Sequence, residues 1–217
     1  MIIAIDGPSA SGKSTTAKGI AERLGITHLD TGAMYRAVTL GIIEHGIDLG
    51  DYERICKFLE ELEINFDSLN DIWANGHNVT GKIRTTEVSS NVSAVSAISQ
   101  VREKMVAIQR AIAEGSDCVL EGRDIGTVVF PNADYKFFLV ADLEIRAKRR
   151  LVELEKIGEI SSLSKLKSDI QKRDRIDSSR DISPLVRAED AIIIDTGKLT
   201  IDEQIEKIVE IINNIEK

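Results

Sequence analysis

Cysteine and histidine are scarce in this sequence. Its two cysteines, Cys56 and Cys118, stand far apart and form no C-x-x-C pair. That leaves out a disulfide framework and a cysteine-held zinc site. Cys118 sits in an apolar run and is expected to be a buried small hydrophobe. The three histidines, His28, His45 and His77, are isolated. None has a partner that sequence can show, so none is expected to act as a general base. No apolar run approaches the length of a membrane span, and the first residues lack a basic region followed by an apolar one. A reducing, cytoplasmic compartment is the expectation. Positive charge is in deficit: 28 Lys and Arg against 36 Asp and Glu give a net charge of −8. A broad nucleic-acid-binding face is disfavoured, while a local basic pocket remains open. Internal repeats and low-complexity tracts are absent. At 217 residues, the chain suits one large domain or a core with a small accessory part.

What is present begins at once. Gly7-Pro8-Ser9-Ala10-Ser11-Gly12-Lys13-Ser14-Thr15 has the G-x-x-x-x-G-K-[ST] spacing of a phosphate-cradling loop. Ile2-Ile3-Ala4-Ile5 before it suits a buried parallel strand. Ala17, Ile20, Ala21 and Leu24 after it fall at i, i+3, i+4 and i+7, and Gly25 is a helix stop. Glycines let the backbone approach phosphate oxygens, and the helix N-terminus adds its positive end. Lys13 is expected to reach the β- and γ-phosphates and the Ser14 hydroxyl to hold Mg²⁺.

Further core strands are expected at 26–29, 117–121, 135–140 and 191–194, with helices between them. That pattern predicts a parallel sheet covered on both faces. The fold class is therefore α/β, the three-layer fold of P-loop NTPases with a five-stranded parallel sheet. Within it, residues 61–67 alternate apolar and polar strictly, 72–74 can form a second strand, Asn75-Gly76 a hairpin turn, and 77–80 a third strand. This is a small antiparallel meander inserted in a parallel chain, with a turn at Ser68–Asp71. Residues 84–115 read as two helices. Arg84, Ser93 and Arg102, taken alone, are expected to be solvated; for the basic face of Arg146, Arg149 and Arg150 a solvated surface is the plain reading and a functional one stays open. In contrast, Arg123-Asp124 lies between glycines directly after a core strand, an unusual connector. Residues 159–187 are dense in charge and poor in apolar residues, as in a mobile helical lid. Arg173 and Arg180, seven apart, would share a helical face with Asp177 between them. Thr200 and Glu203 form a capping box before a stripe of Ile201, Ile205, Ile208, Ile212 and Ile215.

A donor-phosphate loop, an acceptor-binding insert and an arginine-bearing lid make the plan of a small kinase. Other readings of the residues stay open. One is a P-loop kinase for UMP, AMP or another small metabolite. The other is a non-catalytic nucleotide switch, although no N-K-x-D guanine reader is present.

Taken together, the blocks are more selective. D-G-P-S-A-S-G-K-S-T, D-T-G-A-M-Y-R, G-K-I-R-T-T-E-V, E-G-R-D-I-G-T-V-V-F-P and K-R-D-R-I-D-S-S-R with S-P-L-V resemble, in this order, bacterial cytidylate (CMP/dCMP) kinases of the nucleoside monophosphate kinase family. The resemblance implies Mg²⁺-dependent transfer of the ATP γ-phosphoryl to CMP or dCMP in pyrimidine metabolism. It places residues 7–15 on ATP and gives catalytic roles to Lys13, Arg123, Arg173 and Arg180. Arg36, Arg123 and Arg180 would bind the acceptor phosphate. Thr31, Arg102 and Asp124 would read cytosine, with Thr31 standing where some relatives have serine. Ser93, Arg173 and Asp177 would lie around the ribose. Asp124 makes chemical sense, because a carboxylate accepts from the exocyclic amine that uracil lacks. A single kinase domain is expected, with its core at 1–35, 116–158 and 188–217, an acceptor region at 36–115 and the lid at 159–187. The expected partners are ATP and CMP or dCMP alone, with no nucleic acid or membrane, and the protein is expected to act as a monomer.

Overall fold

The computed structural model describes residues 1–67, 69–156 and 158–215. Ser68 of the expected turn and the side chain of Ile215 lie outside the described residues. The chain divides into two compact units, residues 1–28 with 116–217 and residues 29–115.

In the first unit β1 (Ile2–Asp6) is a short apolar run buried on both faces, as a central parallel strand must be. Numbered along the chain, β2 (Thr27–Asp30), β6 (Cys118–Gly122), β7 (Tyr135–Val140) and β8 (Ile192–Asp195) complete a parallel sheet in the order β2-β6-β1-β7-β8. β1 is flanked by β6 and β7, so Ile5 lies beside both Glu121 and Phe137. The chain therefore leaves β1 at a switch point, where open α/β sheets bind ligands at strand carboxyl ends.

Two helices seal one core. α1 (Lys13–Leu24) ends at Gly25, whose positive φ of 68° suits a residue without a side chain. α8 (Ile201–Ile215) starts with the expected capping box: the backbone N–H of Thr200 donates to Glu203 Oε2 at 2.7 Å, and that of Glu203 to Thr200 Oγ1 at 3.3 Å. Ile205, Ile208 and Ile212 join Ala17, Ile20, Ile3, Ile5, Phe137 and Ile194 in the buried cluster. Elsewhere in this unit α6 (Leu143–Lys156) packs against α7 (Leu163–Ser179). The segment 159–187 therefore buries more than its composition implies. Leu166 and Ile170, one helical turn apart, share a small core with Ala147 and Leu154.

In the second unit α2 (Thr31–Glu44) is buried nearly all round. It packs with α4 (Thr86–Val95) and α5 (Ser99–Ala113), and α3 (Tyr52–Glu61) packs on α5. The meander is present but shorter than expected, as β3 (Ile64–Phe66), β4 (Ile72–Ala74) and β5 (His77–Asn78) in one antiparallel sheet. Its first strand loses Glu61 to α3, because Ile55, Leu59 and Leu62 continue the buried helical stripe. Asn75 and Gly76, with φ of 47° and 75°, make the tight turn of paired left-handed residues. Among the described residues no helix is long and apolar enough to cross a membrane.

The α1–α8 contact is close because Gly19 carries no side chain: a Cβ there would lie 2.2 Å from Ile205 Cδ1. Gly19→Leu should therefore overpack this core and lower stability by about 1–3 kcal/mol. The measurement is the midpoint of chemical denaturation, and an unchanged midpoint would contradict the packing described.

Candidate active site

The loop at residues 7–15 has the shape its spacing predicts. Gly7 has φ +152°, and a Cβ there would lie 2.3 Å from the Leu139 carbonyl oxygen, so only glycine lets β1 turn so close to β7. Gly12, at φ 98°, precedes the first turn of α1. Turning N–H groups inward sends carbonyls outward, and donors from distant elements meet them. Arg146 Nη1 donates to Ser9 O at 3.0 Å, Arg149 Nη1 to Ser11 O at 3.3 Å and Thr196 Oγ1 to Ser11 O at 2.8 Å. Arg146 and Arg149 are therefore not a solvated face. The helix turns both towards the loop, and only Arg150 keeps a surface role, paired with Glu153. Helix α7 touches the same loop: Asp174 accepts from the Ser9 N–H at 3.2 Å and from Arg146 Nη1 at 2.6 Å.

Lys13 is buried, and its Nζ donates to Pro8 O at 2.8 Å. Burial, with the Arg123 charge second, brings its pKa down to about 7. A bound polyanion would favour its charged form. At the carboxyl end of β1 the Asp6 carboxylate accepts from Ile125 N–H at 2.9 Å and Gly126 N–H at 2.8 Å. Burial nonetheless raises its pKa to about 6, against the lowering by those two bonds. Asp6 thereby anchors the turn that follows Arg123-Asp124.

Ser14 is exposed, and its hydroxyl donates to Glu121 Oε2 at 2.7 Å. With its proton committed to Glu121, the Ser14 oxygen keeps lone pairs for a hard cation, and the buried carboxylate behind it adds negative charge. The pair fits Mg²⁺. Among the described residues no group of three His, Cys, Asp or Glu side chains could hold a metal ion. Nucleotide phosphates and water are the usual further ligands for such a site.

Three arginines gather around one carboxylate. Arg123 Nε donates to Asp177 Oδ2 at 2.8 Å. Burial pushes the Asp177 carboxyl up, but Arg123, its hydrogen bond, Arg173 and Arg180 together hold it below the ordinary value. Arg180 does not share a helical face with Arg173 as its spacing predicted, because α7 ends at Ser179 and Arg180 is extended. Its guanidinium still turns inward, with Nε on Ser183 O at 2.5 Å and Nη2 3.9 Å from Asp124 Oδ1. Asp124 is buried.

In the second unit the start of α2 brings Asp30, Thr31, Gly32 and Arg36 together. Asp30 caps it by accepting from the Ala33 N–H at 2.8 Å. The Arg36 guanidinium folds back over Gly32, where a Cβ would lie 3.1 Å from Nη1. Thr31, at the first turn, is 2% exposed. Arg102 and Ser93, expected from their isolation to be solvated, are both buried. Arg102 donates to Ser96 O at 3.2 Å and lies 5.4 Å from the centre of the Tyr35 ring, within cation–π reach. Ser93 Oγ is buried with no hydrogen-bond partner among the described residues. Arg84 remains exposed.

The contacts made at Glu121, Arg146, Arg149, Tyr35 and Gly32 escaped the sequence reading. Only Glu121 had a usable signal, as an acid closing the core strand before Gly122-Arg123. The others are defined by partners far away in sequence or by the absence of a side chain.

Comparison with known proteins agrees with this geometry. The family model described as cytidylate kinase matches residues 3–214. The chain is 47% identical over 213 residues to the cytidylate kinase of Shouchella clausii, covering 97% of this chain and 95% of that one. It is 47% identical over 220 residues to that of Lactobacillus johnsonii, covering 100% and 96%. It is 49% identical over 218 residues to that of Protochlamydia amoebophila, covering 97% and 95%. Among solved structures, an uncharacterized protein from Eubacterium ventriosum shares the fold at a TM-score of 0.55 and 15% identity, over 98% of each chain. With a family match along nearly its whole length and relatives near half identity, the chain belongs to the cytidylate kinase family.

Proposed function

We propose that the protein transfers the γ-phosphoryl group of ATP to CMP or dCMP, giving ADP and CDP or dCDP, with Mg²⁺ as cofactor. The observation that carries this reading is the gathering of Arg123, Arg173 and Arg180 around Asp177, a carboxylate that also acts electrostatically on Lys13. A plain nucleotide binder has no use for three arginines there. A phosphoryl group in flight needs such charge around it.

Loop 7–15 would hold the donor phosphates through backbone N–H groups, with Lys13 adding a positive charge once the polyanion is present. Bound through Ser14, with Glu121 behind it, Mg²⁺ would supply charge neutralisation on the donor phosphates. The acceptor phosphate oxygen is the nucleophile and carries its own negative charge, so no general base is required. In forming its bond to the γ-phosphorus it displaces the β-phosphate oxygen of ADP. Arg36 over the α2 N-terminus would bind the acceptor phosphate, with Arg123 and Arg180 also acting on it. Thr31, Arg102 and Asp124 would read the base. Ser93, Arg173 and Asp177 would serve the ribose, and the orphaned Ser93 hydroxyl supports that assignment. The reading includes one kinase domain, with core 1–35, 116–158 and 188–217, acceptor region 36–115 and a lid at 159–187. It also includes a monomer working in pyrimidine metabolism in the cytoplasm, where the free thiols of Cys56 and Cys118 persist.

ADP production with a panel of monophosphates tests the reaction. CMP and dCMP should turn over well above UMP and AMP, and equal rates would overturn the base assignment. Asp124→Ala tests the base reader. Losing a hydrogen bond to a charged acceptor is worth about 1.5–3 kcal/mol, roughly a 10- to 150-fold loss in kcat/KM for CMP. The KM for ATP should change little; an equal loss for both substrates would remove Asp124 from base recognition.

A further inference from the structure

His28 lies on β2, next to β6 in the sheet, and its side chain is only 10% exposed. Its Nε2 is 3.3 Å from Glu121 Oε1, while Glu121 Oε2 accepts from Ser14 Oγ at 2.7 Å. A strand, its neighbour and the first helix are thus joined by one carboxylate. The two oxygens of Glu121 have different partners, one on the phosphate loop and one on the sheet edge. The isolation of His28 in sequence gave no sign of this partner.

We propose that His28 is a positioning residue for the cation site: it holds Glu121 Oε1 so that Oε2 stays aimed at Ser14. This rests on the reading that Ser14 takes Mg²⁺. The terminal torsion of a glutamate is broad, so a partner on each oxygen narrows the swing of its carboxylate. Nε2 facing a carboxylate is the protonated nitrogen, and that donor fixes the second oxygen. With both oxygens held, the Ser14 proton points at Glu121 and the Ser14 lone pairs stay turned to the cation. Partners of this kind, one step behind a ligand, typically change metal affinity by about 10- to 100-fold when removed.

The experiment measures ATP binding by calorimetry on the full chain, with Mg²⁺ and with EDTA, and CMP binding beside it. His28→Leu should weaken ATP binding about tenfold in Mg²⁺ and leave ATP in EDTA and CMP within about twofold. His28→Gln, which keeps a donor, should recover most of the loss. An equal loss with and without Mg²⁺ would reduce His28 to a packing role and overturn the proposal, as would no loss in either condition. If His28→Leu does not fold, His28→Asn, whose side chain is shorter than imidazole, carries the same test. Ser14→Ala separates the two ideas. If it abolishes the Mg²⁺ dependence while His28→Leu does not weaken it, only the role of His28 falls. If Ser14→Ala leaves that dependence intact, the metal reading falls and the proposal with it.

Discussion

A loop that turns its N–H groups towards a phosphate turns its carbonyls away from it. Buried carbonyls without donors are costly, so such a loop exists only where other parts of the chain bring donors to its back. Here those donors are Arg146, Arg149 and Thr196, with the Lys13 amine on Pro8 O. Much of the first unit serves this requirement. α6 presents two arginines on one side, and the residue after β8 is the threonine that reaches Ser11. Gly7 completes the constraint by letting β1 approach the Leu139 carbonyl more closely than any side chain would allow.

The acidic chain keeps its positive charge where a polyanion is expected. Three arginines surround Asp177, and a fourth basic group, Lys13, lies close enough to Arg123 to feel its repulsion. Asp177 is the internal counterion that makes this cluster tolerable in the absence of nucleotide. Asp6 and Lys13, both buried, have pKa values moved from their ordinary ranges towards neutrality. Displaced values of this kind collect where a fold holds groups for chemistry at the expense of their solvation.

Legibility in the sequence followed the range over which each feature is encoded. The phosphate loop lies within nine consecutive residues, 7–15, between a strand and a helix, and could be read directly. The strands and the meander followed from periodicity, with ends shifted where a helical stripe outcompeted alternation at Glu61 and Leu62. Taken alone, Arg146, Arg149 and Arg102 carry only the marks of a solvated charge, although the shared blocks assign Arg102 to the base. Their partners, Ser9, Ser11 and the Tyr35 ring, lie 137, 138 and 67 positions away, and a charge in a polar helix face carries no sign of what it meets. Arg180 was placed on a helix that stops one residue short of it. The shared blocks pointed to Asp124 and Arg36, but they could not show the Asp30 cap, the bare Gly32 beneath Arg36 or the buried hydroxyl of Ser93.

The Thr16 hydroxyl donates to Gln204 Oε1 at 2.8 Å across 188 positions, and the Gln204 amide in turn donates to Leu199 O at 3.0 Å. Residues 7–15 are synthesised long before Thr196 and Gln204. On the ribosome the phosphate loop therefore exists as sequence long before its back can be satisfied. Its strand, β1, must likewise wait for β6 and β7 on either side. Non-local pairing of this kind delays folding until the distant partner is available. Nucleotide affinity is then a property acquired only once α8 has been made, and a nascent chain lacking α8 has the binding motif without its full set of supports.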